Sequence, residues 1–131
     1  MTTTYGVRYR QSAHCNAFDI GLTYTREFSF YTGPSESAYA TDISLYDAVK
    51  LVVYDSANVK VDIFTATILD DDEYLEDDAS GTPVANRCRF TILPTGSPGN
   101  YFFHVIGITA GVPHQLATPA KVGYYEGPPT S

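Results

Sequence analysis

The chain has 131 residues, with 15 Asp+Glu against eight Lys+Arg and a formal charge of -7. That length fits one domain with one core of ordinary size. It has no basic patch or stripe, and no apolar run approaches the roughly 20 residues that span a bilayer, so neither nucleic acid nor a membrane is an expected partner.

The opening Met-Thr-Thr-Thr-Tyr-Gly lacks the charged start and apolar stretch of a secretory signal. Residues 1–16 are expected as an extended N-terminal arm able to reach a neighbouring subunit, with Tyr5 and Tyr9 as contact residues. Arg8 with Arg10, and Arg87 with Arg89, are spaced i, i+2, which places each pair on one exposed strand face. Eleven Tyr, seven Phe and no Trp suit half-buried strands, and also a contact surface of large area and low entropy cost. Cys15 and Cys88 stand far apart in sequence and are too few for a disulfide scaffold, so both are expected reduced and mostly buried.

Period-2 alternation dominates the body. From Phe18 the even positions read Phe18, Ile20, Leu22, Tyr24, Phe28 and Phe30, with polar residues between them, which predicts one long strand or two collinear ones. Thr32 to Thr41 is a polar loop. Asp42-Ile-Ser-Leu45 reads as a short strand or a single helical turn. Val49–Tyr54 and Val59–Leu69 flank Asp55-Ser-Ala-Asn58, the residues of a tight hairpin. After an acidic run, Val84–Leu93 resumes alternation, with Val84, Cys88, Phe90 and Ile92 facing one way and Arg87, Arg89 and Thr91 the other. Pro94–Gly99 is turn chemistry. Asn100–Thr109 is apolar on both faces, which predicts a central strand. Ala110–Gln115 reads as a turn, and Pro119 assigns the segment Leu116–Tyr125 to a sheet edge. The fold expected is all-β: a single antiparallel β-sandwich of about seven or eight strands over residues 17–125, followed by a flexible tail at 126–131.

Seven acids occupy nine positions: Asp70, Asp71, Asp72, Glu73, Glu76, Asp77 and Asp78. Without them the chain has eight acids against eight Lys+Arg, a neutral body carrying one charged loop. Calcium favours several carboxylate oxygens, so these residues form a weak candidate site. The EF-hand pattern fails, because the sixth position from Asp70 is Leu75 and the twelfth is Gly81. The plainer expectation is an exposed loop held apart from other chains by like charge, with Tyr74 and Leu75 tacking it to the body. His14, His104 and His114 show no zinc spacing. His14 and Cys15 are adjacent, so on a strand they point to opposite faces and form no dyad. Gly96 and Gly99 lie in turns with no helix after them to cradle a phosphate. No enzyme, metal or cofactor is therefore expected.

One arrangement is more specific. Asp42-Ile43-Ser44-Leu45 and Ala48 stand directly before a β run. Gly81 precedes the alternating strand Val84–Leu93, and Pro98-Gly99-Asn100-Tyr101 leads into the next strand. Over about residues 20–125 this resembles the immunoglobulin-like domains of phage virion proteins, above all the N-terminal domain of siphophage upper baseplate proteins and related head or tail fibre domains. The resemblance implies an immunoglobulin-like sandwich and a non-enzymatic virion structural protein. Such a protein would decorate a capsid or serve as a fibre or adaptor component, docked on other virion proteins and assembled in the host cytoplasm. Baseplate proteins continue into a fibre where this sequence stops at Ser131; a complete chain of this length would be a freestanding small virion protein. A homo-oligomer is expected, with Tyr124 and Tyr125 among the contact residues. The alternative is a carbohydrate- or calcium-binding sandwich module. A third reading, a small enzyme, requires His14, His104 and carboxylates to share one concave site.

Overall fold

A computed structural model describes residues 7–11, 17–33, 38–116 and 120–126, and these form two face-to-face sheets around one apolar core. The strands in chain order are β1 (Val7–Gln11), β2 (Ala17–Asp19), β3 (Tyr24–Thr32), β4 (Tyr39–Ala40) and β5 (Ala48–Tyr54). Next come β6 (Lys60–Thr65), β7 (Thr67–Leu69), β8 (Glu76–Asp77) and β9 (Pro83–Val84). The last four are β10 (Arg87–Ile92), β11 (Gly99–Thr109), β12 (Val112–Gln115) and β13 (Ala120–Tyr125). The first sheet runs β1-β3-β10-β7, with β4 also on β3. The second runs β2-β13-β11-β5-β6, with β12 also on β11, and β8-β9 is a separate small pair.

The thirteen described strands outnumber the seven or eight expected because two long alternating runs each divide between the sheets, and because β1, β4, β8, β9 and β12 form where an arm, loops and turns were expected. The run from Phe18 breaks at Ile20–Gly21, where Gly21 takes a positive φ of 89°. Phe18 lies in the second sheet while Phe28 and Phe30 lie in the first, yet all three point into the core. Likewise Val59–Leu69 passes from β6 to β7 at Ala66, whose N–H bonds Val49 C=O at 2.8 Å. Both sheets face the same interior, so alternation of residue type reads on across each switch, although Leu22, expected on the inward positions, is 42% exposed in the turn after β2.

Other segments resolve more simply. Asp42–Leu45 is a turn: the Asp42 carboxylate accepts from the Ser44 N–H (2.9 Å) and hydroxyl (2.6 Å), and buried Ile43 pins it to the core. The Asp55–Asn58 hairpin forms as expected, with Asp55 Oδ1 accepting from Ala57 and Val59 amides and Asn58 at φ 63°. β11 is central, between β5 on one side and β12 and β13 on the other. The turn expected over Ala110–Gln115 shrinks to Ala110 and Gly111, both at positive φ, a two-residue hairpin that lets Val112–Gln115 continue as a strand.

Three corrections follow. Within the expected arm, Val7–Gln11 pairs with β3 along Val7↔Thr32 to Gln11↔Phe28, so this part is an edge strand of the sandwich. β13 is not an edge over its last half, since Gly123–Tyr125 pair with Ala17–Asp19. That pairing is parallel, so the second sheet is mixed rather than purely antiparallel.

The two sheets meet through phenylalanine. Phe28 of β3 packs edge-on against Phe90 of β10 (centroids 5.5 Å, 89°) and Phe103 of β11 (6.4 Å, 71°), and lies beside Phe30 at 6.4 Å. Val49, Val105, Cys88 and Ile92 complete the fully buried centre. Cys88 is a free thiol whose burial pushes its pKa up to about 12; Cys15 lies outside the described residues. Phe28→Ala is expected to destabilise the fold by about 3–5 kcal/mol, measured by urea unfolding. In a Cys15→Ser background, Cys88 should resist a thiol reagent at pH 8 until denaturant is added. Rapid labelling of the folded chain would contradict its burial.

Candidate docking face

The strand registers fix what each outer surface carries, because residues paired across strands point to the same side. On the outer face of the first sheet, Arg89 of β10 bonds Glu27 of β3 (Nη2–Oε2 2.9 Å), and Arg87 Nε donates to Ser29 Oγ at 3.2 Å. The Tyr74 ring lies 5.8 Å from the Arg87 guanidinium. The expected arginine pair thus shares one strand face with its charges engaged. Along β1, Arg8 and Arg10 pair in backbone register with Tyr31 and Ser29.

The outer face of the second sheet differs. One row across β6, β5, β11 and β13 reads Lys60, Tyr54, Phe102, Lys121. The next reads Ile63, Val52, His104, and the third Thr65, Lys50, Ile106, Gln115 with β12 in place of β13. Ile63 is 49% exposed and Phe102 39%, while Val52 between them is buried. Lys60 reaches this face through a bulge: Val53 opposes Asp62 but Tyr54 opposes Lys60, so Val61 is the extra residue. The chain's three lysines, Lys50, Lys60 and Lys121, all stand on this face, and none has an ion-pair partner among the described residues.

His104 contributes little charge there. Its Nε2 lies 3.2 Å from Tyr54 Oη, with the rings edge-on at 4.9 Å. Burial, and then the Lys60 charge, lower its pKa, which favours the neutral ring. Two hollows flank Phe102. One of about 380 Å³ is walled by Tyr54, Asn58 and His104, and one of about 460 Å³ by Ser56, Asn100, Lys121 and Tyr125. The Tyr125 ring folds over Gly123, where an added Cβ would stand 2.9 Å from Tyr125 Oη, so only glycine leaves that seat open.

The expected contact residues separate. Tyr125 is 53% exposed and stands on this face. Tyr124 is corrected: it is 2% exposed and points into the core, as its neighbour's outward direction requires. Its hydroxyl donates to Asp62 Oδ2 at 2.6 Å, and the Thr95 amide (3.2 Å) and hydroxyl donate to the same carboxylate. Tyr5 lies outside the described residues, and Tyr9 is placed by backbone alone, paired with Phe30.

The acidic run is more ordered than an open loop. It holds a 3-10 turn at Asp72–Tyr74 and the β8–β9 pair. Glu76 Oε2 accepts from Tyr31 Oη (2.8 Å) and Asn86 Nδ2 (2.7 Å), which ties the segment to the first sheet. Asp78 Oδ1 accepts from the Ser80 hydroxyl and the Ser80 and Thr82 amides, and these bonds, the hydroxyl's first, lower its pKa. Asp70, Asp71, Asp72, Glu73 and Asp77 remain exposed. Among the described residues no three of His, Cys, Asp or Glu gather closely enough to hold a metal ion. Tyr74 does tack the run to the body, through Arg87. His104 and His114 stand on opposite faces of the same sheet, the latter paired with inward Gly107 and 6.0 Å from Tyr46; His14 lies outside the described residues.

No protein-family model and no curated protein matches this sequence. Sequence reasoning named Tyr125 but missed Phe102, Tyr54 and the three lysines. A signal for Phe102 was present: it is the outward member of a strand apolar on both faces.

Tyr124→Phe removes one of the donors to buried Asp62 and is expected to cost about 1–3 kcal/mol in urea unfolding. Burial first, then the Asp62 carboxylate, raise the Tyr124 pKa, so the folded chain holds this proton more tightly than the unfolded chain. That stability is fully present below about pH 10 and declines as pH rises further. The variant should show a shallower alkaline loss of Tm, and an unchanged slope would contradict the assignment.

Proposed function

We propose that this chain is a non-enzymatic structural protein of a bacteriophage virion, acting by docking: a capsid decoration protein, or a component of a head or tail fibre or adaptor. The observation that carries the docking part is the contrast between two outer faces. One has Arg89 and Arg87 bonded to Glu27 and Ser29, and the other presents an open apolar centre framed by lysines that make no ion pair among the described residues. Apolar surface with a polar rim is the anatomy of a protein contact.

The virion part rests on the sequence resemblance, and the strand order supports its immunoglobulin-like component. Lettered in chain order, β1 is A, β3 is B, β5 is C, β6 is C′, β7 is D, β10 is E, β11 is F and β13 is G. Apart from β2, β4 and β12, the sheets then read A-B-E-D and G-F-C-C′, an order that supports an immunoglobulin-type sandwich. Pro98-Gly99-Asn100-Tyr101 supports it further. Near the start of β11, Tyr101 Oη donates back to Ser97 C=O at 2.5 Å, as in a tyrosine corner. Two residues later, where antibody domains place the second cysteine of their inter-sheet disulfide, stands Phe103, in contact with Phe28 of strand B.

A carbohydrate-binding module is the second reading. The hollows beside Phe102, with Tyr54 and Tyr125 near Asn58, Ser56 and Asn100, favour it, since sugars stack on rings and bond amides and hydroxyls. Immunoblotting of gradient-purified virions decides the first reading: the protein is expected to band with particles, and its absence from them would remove it. Protection of Phe102 hollow resonances by a glycan, in NMR titration, would favour the second.

A further inference from the structure

The lysines and the acidic run belong to different layers of this sandwich. All three lysines frame the Phe102 face of the second sheet. The exposed acids Asp70, Asp71, Asp72, Glu73 and Asp77 belong to a segment tied onto the first sheet by Tyr31–Glu76 and by Tyr74 over Arg87. Among the described residues no ion pair joins the two charge sets within one chain. Nor does a two-fold contact through the Phe102 face suit them, because it sets one copy's lysines against the other's, and like charges across a contact are costly.

Building on the docking reading above, we infer that the occupant of the lysine-framed face is a second copy of this chain, presenting its acidic segment. Phe102 and Ile63 supply the apolar contact, and Lys50, Lys60 and Lys121 meet the five free carboxylates. Each copy then offers a face to one neighbour and a segment to another. Such a head-to-tail contact closes into a ring where its rotation allows and otherwise extends as a filament. Glu76 and Asp78 hold the segment's shape through their bonds to Tyr31, Asn86, Ser80 and Thr82, which leaves the other acids preorganised for the neighbour.

Light scattering and sedimentation velocity on the full chain test this across the micromolar to millimolar range, at low salt and at about 0.5 M NaCl. The expected result is concentration-dependent assembly, weakened roughly tenfold or more by the salt. Lys60→Glu with Lys121→Glu should abolish it, and so should Asp71→Lys with Asp72→Lys. These positions are exposed, and unchanged circular dichroism and Tm would separate lost contact from lost fold. Mixing the two charge-reversed proteins should restore assembly, since each then fits only the other. A chain that stays monomeric throughout, an assembly unmoved by both variants, or a mixture that fails to recover would overturn the inference. Virion incorporation of a monomeric chain would leave the docking reading standing and this inference fallen; assembly by a chain absent from virions would do the reverse.

Discussion

The contact between Phe28 of β3 and Phe103 of β11 is the one on which the sandwich turns. Each phenylalanine is the inward residue near the middle of its sheet, and with Phe90 they form an aromatic clasp. Buried aromatic rings bring large apolar area together with a geometric preference for edge-on packing, so they fix spacing as well as contribute stability. Once Phe28 and Phe103 face each other, the parity of every paired strand is decided. Arg87, Arg89 and Glu27 must point outward on one side, and Phe102, His104 and Lys121 on the other. Both outer faces are therefore consequences of the same clasp. It needs no covalent bond, and the neighbouring Cys88 thiol is buried and held protonated.

A second polar element locks one end of this arrangement. Asp62, turned inward beside the bulge at Val61, gathers the Tyr124 hydroxyl and both donors of Thr95. A buried carboxylate is tolerated only when its hydrogen bonds are supplied, so the loop after β10 and the last strand are held by the same group. The same bulge sets Lys60 outward beside Tyr54. Core polarity and surface charge are thus coupled through one extra residue.

Period 2 made much of the fold legible, because a strand buried on one face must alternate. β10 reads directly from Arg87 to Ile92, β11 declares itself central by being apolar on both faces, and Asp55–Asn58 carries its own turn chemistry. The sheet switches at Gly21 and Ala66 were not legible, since both sheets share one interior and alternation passes through unchanged. The outer face around Phe102 was less legible still. Its central row, Lys60–Tyr54–Phe102–Lys121, draws on four strands whose register no local pattern encodes. Tyr124 and Tyr125 look alike in the sequence, but adjacent strand residues must diverge. The acidic run looked like a plain loop because the bonds that order it, from Tyr31 and Asn86 to Glu76, come from distant segments.

The parallel pairing of β2 with β13 bears on how the domain carries force. Gly123, Tyr124 and Tyr125 lie beside Ala17, Phe18 and Asp19 with both strands running the same way. Tension that enters at Ala17 and leaves at Tyr125 pulls the two strands in opposite directions along their length. It loads the bonds between them together, in shear, instead of peeling them one by one from an end. A pull applied at those two points is thus borne where the domain resists sliding best, with Phe18 seated in the core behind that pair.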